Sequence, residues 1–473
     1  MAWRAAFIAA ALLAGASARA DLDPDSRRLA YDIFRHLVEI NTTDSAGNVT
    51  TAAEYMAGRF REAGFPEKDI QIVGPNDKRK NLVVRLHGNG RKKPILLIGH
   101  LDVVEARRED WTTDPFKFIE KDGYYYGRGT QDMKDGVTII SMTLMRLKKA
   151  GYHGDRDIVV ALTAGEESGL DNGVRWLLAH RRELVDAEFA LNHDGPSLYA
   201  DKGKPVYLEV DATEKVYADF QLTVTNPGGH SSIPAPDNAI HHLVAALNRL
   251  AAYEFPFELN DVTRAYYEGV ARNDAGQRGA DVRAMLKTPP DLDAVKRLSR
   301  DSIDHATMHT TCVATRLEGG HARNALPQMA RALVNCRILP GHEPEAIRQE
   351  LIRVLADPQV AVSYIGEDGA IQETANSKHG FVAPVLRKDV LDATRKVAGA
   401  MWPGLPIVPM MSVGASDAVY TNAAGLPTYQ VTGELIDRND VRAHGQDERI
   451  GIEAFYRGLE FHYRFMRELL GQR

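Results

Sequence analysis

The sequence predicts an α/β protein with a mostly parallel mixed sheet, helices on both faces of that sheet, and an inserted ferredoxin-like α+β domain. From residue 26 to about 200, helical periodicity alternates with short aliphatic runs, as in sheets that contain parallel strands. From about residue 213 the order becomes strand, helix, two strands, helix and strand, which is the βαββαβ order of a ferredoxin-like domain. A chain of 473 residues also exceeds the usual size of one compact core.

The elements of the first domain follow from hydrophobic periodicity. Apolar residues three to four positions apart predict helices, and short apolar runs bounded by turn residues predict strands. The helices are expected over 26–40, 50–64 and 135–150, and the strands over 69–74, 81–87, 94–99, 157–163 and 187–192. The pattern resumes with a helix over 385–400 and a strand over 428–432.

The inserted domain has its own predicted elements. They are a strand near 216–226, a helix over 236–252, a hairpin over 309–339, a helix over 343–356 and a strand over 359–364. A charged helical segment over 253–307 is expected to enlarge this domain. The predicted division of the chain is therefore a signal peptide over 1–20, a main domain over 21–213 and 371–473, and an inserted domain over 214–370.

Composition and the first residues limit the partners and the location. Hydrophobic residues make up 44% and charged residues 26% of the chain, as in ordinary soluble proteins. A formal net charge of −6 argues against nucleic acid as the main partner. Arg4, a short apolar run and the triplet Ala18-Arg19-Ala20 predict a signal peptide, export to a periplasmic or secreted location, and no membrane attachment after cleavage. An N-terminal membrane anchor is the alternative.

Two cysteines bear on the predicted location of the protein. Cys312 and Cys336 lie in strand-like segments on either side of a turn-rich stretch, symmetric about Asn324. An antiparallel hairpin would place them opposite each other, so a disulfide is expected in an oxidising compartment. Two free buried thiols are the alternative. Two cysteines cannot form an all-thiolate metal site, so any metal must be held by histidines and carboxylates.

The stretch ILLIGHLDVV places His100 and Asp102 at the end of an apolar run. Residues two apart on an extended backbone point to the same side, here at the carboxyl edge of the sheet, where open α/β sheets bind ligands. Imidazole is a common metal ligand, and a nearby carboxylate can orient it. The pair alone leaves a structural role and a metal-binding role equally open.

Four further segments add carboxylates and histidines at strand ends or helix starts. They contribute Asp132, Glu166, Glu167, His193, Asp194 and His444. Asp132 could instead cap a helix, and the glutamates could form a solvated acidic loop. Adjacent carboxylates beside an apolar strand are costly unless a cation or a shared proton relieves their repulsion.

The charge balance of these residues suits two divalent ions. Two dications carry +4, which Asp132, Glu167, Asp194 and a bridging hydroxide would neutralise. Glu166 and Asp102 are then left for proton transfer and for orienting a ligand. Zn²⁺ is the expected metal, while Co²⁺ or Mn²⁺ would suit the same donors.

Seven segments in order resemble motifs of the cocatalytic dizinc metallopeptidases, the family of glutamate carboxypeptidase, aminoacylase, carnosinase-type dipeptidases and succinyl-diaminopimelate desuccinylase. They are GHLDVV, GRGTQDMKDG, TAGEESG, HDGPS, GGHSSIP, GASDA and AHGQDE. The resemblance covers nearly the whole chain after its first twenty residues. It implies a zinc-exopeptidase type of fold, in which the main domain is catalytic and the inserted domain is a lid that can form a homodimer.

The resemblance also implies a ligand set. It consists of His100, Asp132, Glu167, Asp194 and His444. Asp132 would bridge the two metals and precede a cis peptide bond. One metal would be held by His100 and Asp194, and the other by Glu167 and His444.

Further roles are implied for residues beside the ligands. Glu166 resembles the general base that later protonates the leaving amine, and Asp102 resembles the carboxylate that orients the first histidine ligand. In the lid, the resemblance implies that His230 reaches the active site of the partner subunit and stabilises the oxyanion, and that Asn324 and Arg337 bind substrate. Gly414 of the main domain would let the backbone approach the substrate closely. Arg337 would clamp a free α-carboxylate, or it could be an ordinary surface arginine. A serine nucleophile beside His230 lacks the surrounding motif it would need.

The predicted function is an exported dinuclear-metal hydrolase that cleaves a peptide or amide bond next to a free carboxylate, in the manner of a carboxypeptidase. Its substrates would be small peptides or N-acyl amino acids. An aminoacylase-like amidohydrolase is the nearest alternative. A non-catalytic binding protein with the same fold is a more distant alternative. Such a protein would be expected to have lost Glu166 or Asp102, and both are present here.

Overall fold

The computed structural model describes residues 22–45, 47–169, 171–201, 203–366, 369–375, 386–437 and 439–472. The predicted signal peptide over 1–20 lies outside these residues. In the described part of the chain the helices are α1 (Pro24–Glu39), α2 (Val49–Glu62), α3 (Lys134–Lys149), α4 (Gly173–His180), α5 (Arg182–Val185), α6 (Ala239–Ala251), α7 (Asp261–Asn273), α8 (Gln277–Met285), α9 (Leu292–Leu298), α10 (Ser302–Met308), α11 (Pro344–Leu355), α12 (Lys388–Met401), α13 (Ala418–Ala423) and α14 (Ile452–Leu469). None of these described helices combines the length and the apolarity needed to cross a bilayer.

The strands of the described residues form five sheets. In chain order they are β1 (Ile70–Val73), β2 (Asn81–Leu86), β3 (Ile95–His100), β4 (Ile119–Lys121), β5 (Tyr124–Tyr126), β6 (Ile158–Thr163), β7 (Phe189–Asn192), β8 (Leu198–Asp201), β9 (Lys204–Glu214), β10 (Val216–Thr225), β11 (Gly229–His230), β12 (Thr311–Gly319), β13 (Ala325–Leu326), β14 (Met329–Ile338), β15 (Ala361–Ile365), β16 (Ile371–Gln372), β17 (Ile407–Ser412), β18 (Thr428–Tyr429), β19 (Leu435–Asp437) and β20 (Arg449–Gly451).

The main sheet has the strand order β1-β2-β6-β3-β7-β18. Strands β6, β3, β7 and β18 run parallel, whereas β1 and β2 are antiparallel at one edge. Ile95 and Leu97 face a large core with α1, α3 and α14, while Leu96 and Ile98 face a smaller core with α4. Burial on both faces explains why β3 is continuously aliphatic rather than alternating. The predicted α/β class, with helices on both faces, is confirmed.

A four-stranded sheet of order β17-β9-β8-β19 extends the main region. Strand β9 pairs with β8 and β17 up to Glu214, and β10 begins at Val216 in a different sheet. Lys215 therefore sits where the chain passes from one sheet to the other. Hydrophobic periodicity did not predict β8, β9 or β17.

The five-stranded sheet is antiparallel, with the order β12-β14-β10-β15-β16. Helices α6 and α11 share a core with this sheet, so strand and helix follow the expected βαββαβ order. Cys312 and Cys336 are opposite each other on β12 and β14, and a disulfide joins them. The structure thus contains the disulfide rather than the two free thiols.

The helical segment α7–α10 corrects one expectation. These helices form a small apolar cluster of their own, and α7 packs against β17 of the main region. Val262 belongs to the main core, and Asn260 Nδ2 lies 3.6 Å from Met411 Sδ. The segment 253–307 therefore does not simply enlarge the five-stranded sheet. Its docking surface, β17, was itself missing from the sequence prediction.

Candidate dinuclear metal site

The predicted ligands meet at the carboxyl edge of the main sheet. His100 is the last residue of β3, Glu167 follows β6, and Asp194 follows β7. Asp132 precedes α3, and His444 lies in the loop before β20. Because parallel strands end at one edge, residues far apart in the chain come together there.

Asp132 lies between two groups of side chains. Its Oδ1 is 3.0 Å from His100 Nε2, and its Oδ2 is 3.0 Å from His444 Nε2. Asp194 Oδ1 is 3.8 Å from the first of these nitrogens, and Glu167 Oε2 is 3.0 Å from the second. In each group the three possible ligand atoms lie within 4.8 Å of one another. These are the two sets, sharing Asp132, that the resemblance implies.

The electrostatics favour positive charge at two points. Burial opposes charge on His100, but hydrogen bonds with Asp132 and Asp194 outweigh it and keep its pKa well above the usual value. Hydrogen bonds with Asp132 and Glu167 raise the pKa of His444 to about 10. Imidazole and carboxylate donors of this kind fit borderline divalent cations such as Zn²⁺. The residues present therefore fit two such ions.

The peptide bond between Asp132 and Met133 is cis, as the resemblance implies. The carboxylate of Asp102 takes a different position from the one expected. His100 Nδ1 donates to the backbone carbonyl of Asp102 at 2.9 Å, and the Asp102 carboxylate is 3.9 Å away. That carboxylate instead accepts from the backbone N–H groups of Glu166 and Glu167 at 3.3 and 3.1 Å. Asp102 thus orients His100 through its backbone and orders the glutamate loop through its side chain.

A buried ion pair that sequence reasoning missed supports the Asp132 loop. Glu448 accepts a 2.6 Å hydrogen bond from Arg128, and both side chains are almost fully buried. The same carboxylate also accepts from the backbone N–H groups of Gly129, Gln131 and Asp132. Glu448 is part of the AHGQDE motif, but its partners lie more than 300 residues away, so no local signal reveals this role.

Two further buried carboxylates lie behind the candidate ligands. Glu434 lies 2.7 Å from His193 Nε2. His193 therefore pairs with Glu434 and does not join the group around Asp132. Asp417, from the GASDA motif, accepts hydrogen bonds from Thr163 at 3.1 Å and from Asn172 at 2.6 Å. These contacts fix the ends of β6 and β7, where the adjacent ligands begin.

A cleft of about 590 Å³ separates the sheet edge from the five-stranded sheet. Glu166, Glu167 and His444 line one side, and Arg337 and Tyr217 line the other. The Arg337 guanidinium lies 4.7 Å from the centre of the Tyr217 ring. The structure thus brings Arg337 to the cleft that holds the predicted base.

The other predicted substrate-binding residues lie elsewhere. Gly414 lines a separate small cavity together with Asp194. His230 and Asn324 are exposed, neighbour each other at the β11–β13 pair, and do not line the cleft among the described residues. Val313 and Leu317 are exposed on the edge strand β12. The homodimer through this sheet stays a prediction.

A model of peptidase family M20/M25/M40 matches residues 96–468. The chain belongs to this family. The predicted resemblance is confirmed, and the chain is a metallopeptidase-type hydrolase of amide bonds. Three groups of its described side chains at the sheet edge could hold metal ions, as expected of a family that includes dinuclear metal-binding peptidases.

Relatives within the family differ in their named activities. A probable carboxypeptidase S-like 2 of Dictyostelium discoideum is 27% identical over 79% of this chain and 71% of its own length. The human N-fatty-acyl-amino acid synthase/hydrolase PM20D1 is 26% identical over 78% of this chain and 72% of its own. A probable succinyl-diaminopimelate desuccinylase of Staphylococcus aureus is 28% identical over 70% of this chain and 74% of its own.

Solved M20 structures share the fold. The metallo-carboxypeptidase Sso-CP2 of Sulfolobus solfataricus superposes with a TM-score of 0.68 at 16% identity, covering 93% of this chain and 98% of that one. Human carnosine dipeptidase 1 superposes with a TM-score of 0.58 at 16% identity, covering 94% and 96%. At this identity the likeness concerns the fold alone.

Proposed function

We propose that this chain is an exported dinuclear-metal hydrolase that cleaves an amide bond next to a free carboxylate, as a carboxypeptidase does. The observation that supports it most is the placement of Arg337 across one cleft from Glu166. A cation that can hold a carboxylate thus faces a carboxyl group that can move a proton. The disulfide between Cys312 and Cys336 supports export, because disulfides persist in oxidising compartments.

Two divalent ions, Zn²⁺ in the first place, would be held by the two residue groups that share Asp132. When bound, such ions supply Lewis acidity that polarises a carbonyl and acidifies water. Glu448 keeps the Asp132 loop in place through three backbone hydrogen bonds, and Asp102 does the same for the glutamate loop. The ligands are therefore positioned before substrate arrives, as preorganised sites require.

Glu166 is assigned the proton transfer. Burial raises the pKa of its carboxyl well above the usual value, so its carboxylate is a stronger base than an exposed one. Glu167 points its carboxylate at His444 instead, at 3.0 Å. Adjacent residues thus take two roles, one in proton transfer and one in ligation. The leaving amine would receive its proton from Glu166.

We assign to Arg337 the binding of the substrate carboxylate. Its planar guanidinium can donate two parallel hydrogen bonds to a carboxylate, which an ammonium group cannot do in the same geometry. The Tyr217 ring beneath it limits the directions in which the side chain can turn. The distance from this cation to the reacting bond would then set which amide bond is cleaved.

N-acyl amino acids are the second candidate substrates. A human relative is named as an N-fatty-acyl-amino acid synthase/hydrolase. The cleft wall in this chain also includes Val216, Tyr364, Val419 and Tyr420, which offer apolar surface to an acyl chain. The same Arg337 would bind the carboxylate of either substrate class. Hydrolysis rates for N-blocked dipeptides and N-acyl amino acids by the zinc-loaded enzyme separate the two.

Arg337→Met tests the carboxylate assignment. Hydrogen bonds to charged groups contribute about 1.5–3 kcal/mol, so kcat/KM for a substrate with a free carboxylate should fall about 10- to 100-fold. The C-terminal amide of the same substrate should lose less than about threefold, because it offers no charge to the guanidinium. Arg331→Met on the same strand, β14, is the matched control, since Arg331 pairs with exposed Glu318. Equal losses on the acid and the amide would remove the assignment.

A further inference from the structure

A second group of histidine and carboxylate side chains lies outside the candidate active site. Glu254 is in the loop between α6 and α7, His305 is in α10, and His309 directly follows that helix. Glu254 Oε1 is 3.7 Å from His305 Nδ1 and 3.7 Å from His309 Nε2. The three possible ligand atoms lie within 4.8 Å of one another. None of these residues belongs to the predicted catalytic set.

The ring of His309 is held in the tautomer that a metal ligand needs. Its Nδ1–H donates to the backbone carbonyl of Phe255 at 2.7 Å, so Nε2 carries the lone pair. Such a second hydrogen bond is the usual partner of a ligating imidazole, because it fixes the ring and makes the free nitrogen more basic. Nε2 accepts a 3.2 Å hydrogen bond from the Ser299 hydroxyl and faces Glu254. The side chain is only 3% exposed.

His305 presents its ring parallel to that of His309. The two residues are four apart, about one helical turn, and their ring centres are 4.7 Å apart with an angle of 21° between the planes. Two imidazolium ions in this arrangement would repel each other. Glu254 is 52% exposed, so an ion can reach the group from solvent.

The three side chains lie close to the point where the chain passes from one sheet to another. The Lys215 ammonium donates to the backbone carbonyls of Ala306 and His309 at 2.9 and 2.7 Å. Lys215 is the residue between β9 of the main region and β10 of the five-stranded sheet. The end of α10 is therefore attached at the point where the chain changes sheets.

We propose that Glu254, His305 and His309 bind one further divalent ion of the zinc class, separate from the candidate dinuclear site. Two histidines and one carboxylate are a frequent protein set for Zn²⁺, with the fourth position taken by water. The ion would take the lone pair of His309 Nε2 in place of the Ser299 hydroxyl. Two atoms that each lie about 2.1 Å from one ion can be at most about 4.2 Å apart, and both pairs that include Glu254 satisfy this limit at 3.7 Å. The two histidine nitrogens lie within 4.8 Å of each other, so a small movement of His305 would bring them to one ion. The ion would fasten the α6–α7 loop to the end of α10 beside Lys215. This proposal does not depend on the proposed hydrolytic function.

Zinc content per chain tests the proposal directly. The metal-free protein is loaded with excess zinc, separated from free metal by gel filtration and analysed by atomic emission. We expect His305→Asn and Glu254→Gln to bind one zinc ion fewer per chain than the unmodified protein. His241→Asn, an exposed histidine on α6, is the matched control and should keep the full content.

A second readout guards against variants that fail to fold. Zinc should raise the midpoint of thermal unfolding of the unmodified protein more than that of Glu254→Gln, whose exposed side chain has little part in packing. Equal zinc content in the unmodified protein and in Glu254→Gln would overturn the proposal, as would equal thermal shifts.

Discussion

The main region and the five-stranded sheet carry their charges in opposite ways. At the carboxyl edge of the main sheet, ionisable groups are buried and held by specific partners, as Glu448 is by Arg128. On the five-stranded sheet they lie near the surface, as Arg331 and Glu318 do. A buried charge must be paired, and the pairing fixes its position. One wall of the cleft thus carries fixed ionisable groups, to which we assign the chemistry, and the other carries exposed ones, to which we assign substrate recognition.

The largest expected effect is on the turnover number, and it comes from a substitution in the cleft wall at the sheet edge. Glu166→Gln keeps the size of the side chain but removes its capacity to take a proton. The turnover number should fall about 10²- to 10⁴-fold, the usual cost of losing a general base. KM for a substrate with a free carboxylate should change little, because Arg337 lies on the opposite wall. Steady-state kinetics of the zinc-loaded variant measure both.

The exposed Glu109→Gln change is the matched control and should leave turnover unchanged. Metal content should stay the same in Glu166→Gln, since this residue is not among the predicted ligands. Near-normal turnover in Glu166→Gln would remove the proton-transfer role from this residue.

A smaller effect is expected from two histidines, the buried His462 of the main region and the half-buried His242 near the five-stranded sheet. Burial holds the pKa of His462 well below the usual value of about 6.5, so the folded protein keeps this ring neutral. Below about pH 6.5 the unfolded chain binds a proton that the folded chain does not. The contribution of this group to the free energy of unfolding should therefore decrease as the pH is lowered below about 6.5, by at most about 1.4 kcal/mol per pH unit. His462→Gln, which can still bond Thr143, should flatten that slope in urea unfolding at pH 6.5 and 5.5.

His242 near the five-stranded sheet should show the opposite sign. Its hydrogen bond with Asp357 raises its pKa, with a further contribution from Asp237. Its stabilising contribution is therefore complete below about pH 6.5 and is lost as pH rises through the folded pKa. His242→Gln should destabilise the protein more at pH 6 than at pH 9. The same sign for both histidines would contradict the contrast between the two regions.

The sequence predicted those elements whose burial pattern is simple. Strand β3 is aliphatic throughout because helices cover both its faces, and it was expected over 94–99 and found over Ile95–His100. The antiparallel β12–β14 pairing placed Cys312 opposite Cys336, as symmetry about Asn324 requires. The positions of Asp132 and Glu167 follow from their motifs, because the first motif precedes helix α3 and the second follows strand β6. His444 was expected before a helix, but it lies in the loop before the short strand β20.

What the sequence could not predict depends on contacts between distant residues. Glu448 acts on the Asp132 loop from more than 300 residues away. Strand β17 pairs with β9 and receives α7, yet only one of its six residues is fully buried, so its hydrophobic pattern is weak. The hydrogen bond from His100 reaches a backbone carbonyl at Asp102, and the identity of the side chain there does not reveal it. Tertiary contacts decide each of these features.

Asp132 would be shared by two metal ions at the edge of the main sheet. Diffraction from crystals of the zinc-loaded protein, collected above and below the zinc absorption edge, tests it most directly. We expect two anomalous peaks beside Asp132, one next to His100 and Asp194 and the other next to Glu167 and His444. A single peak there, or none, would contradict it.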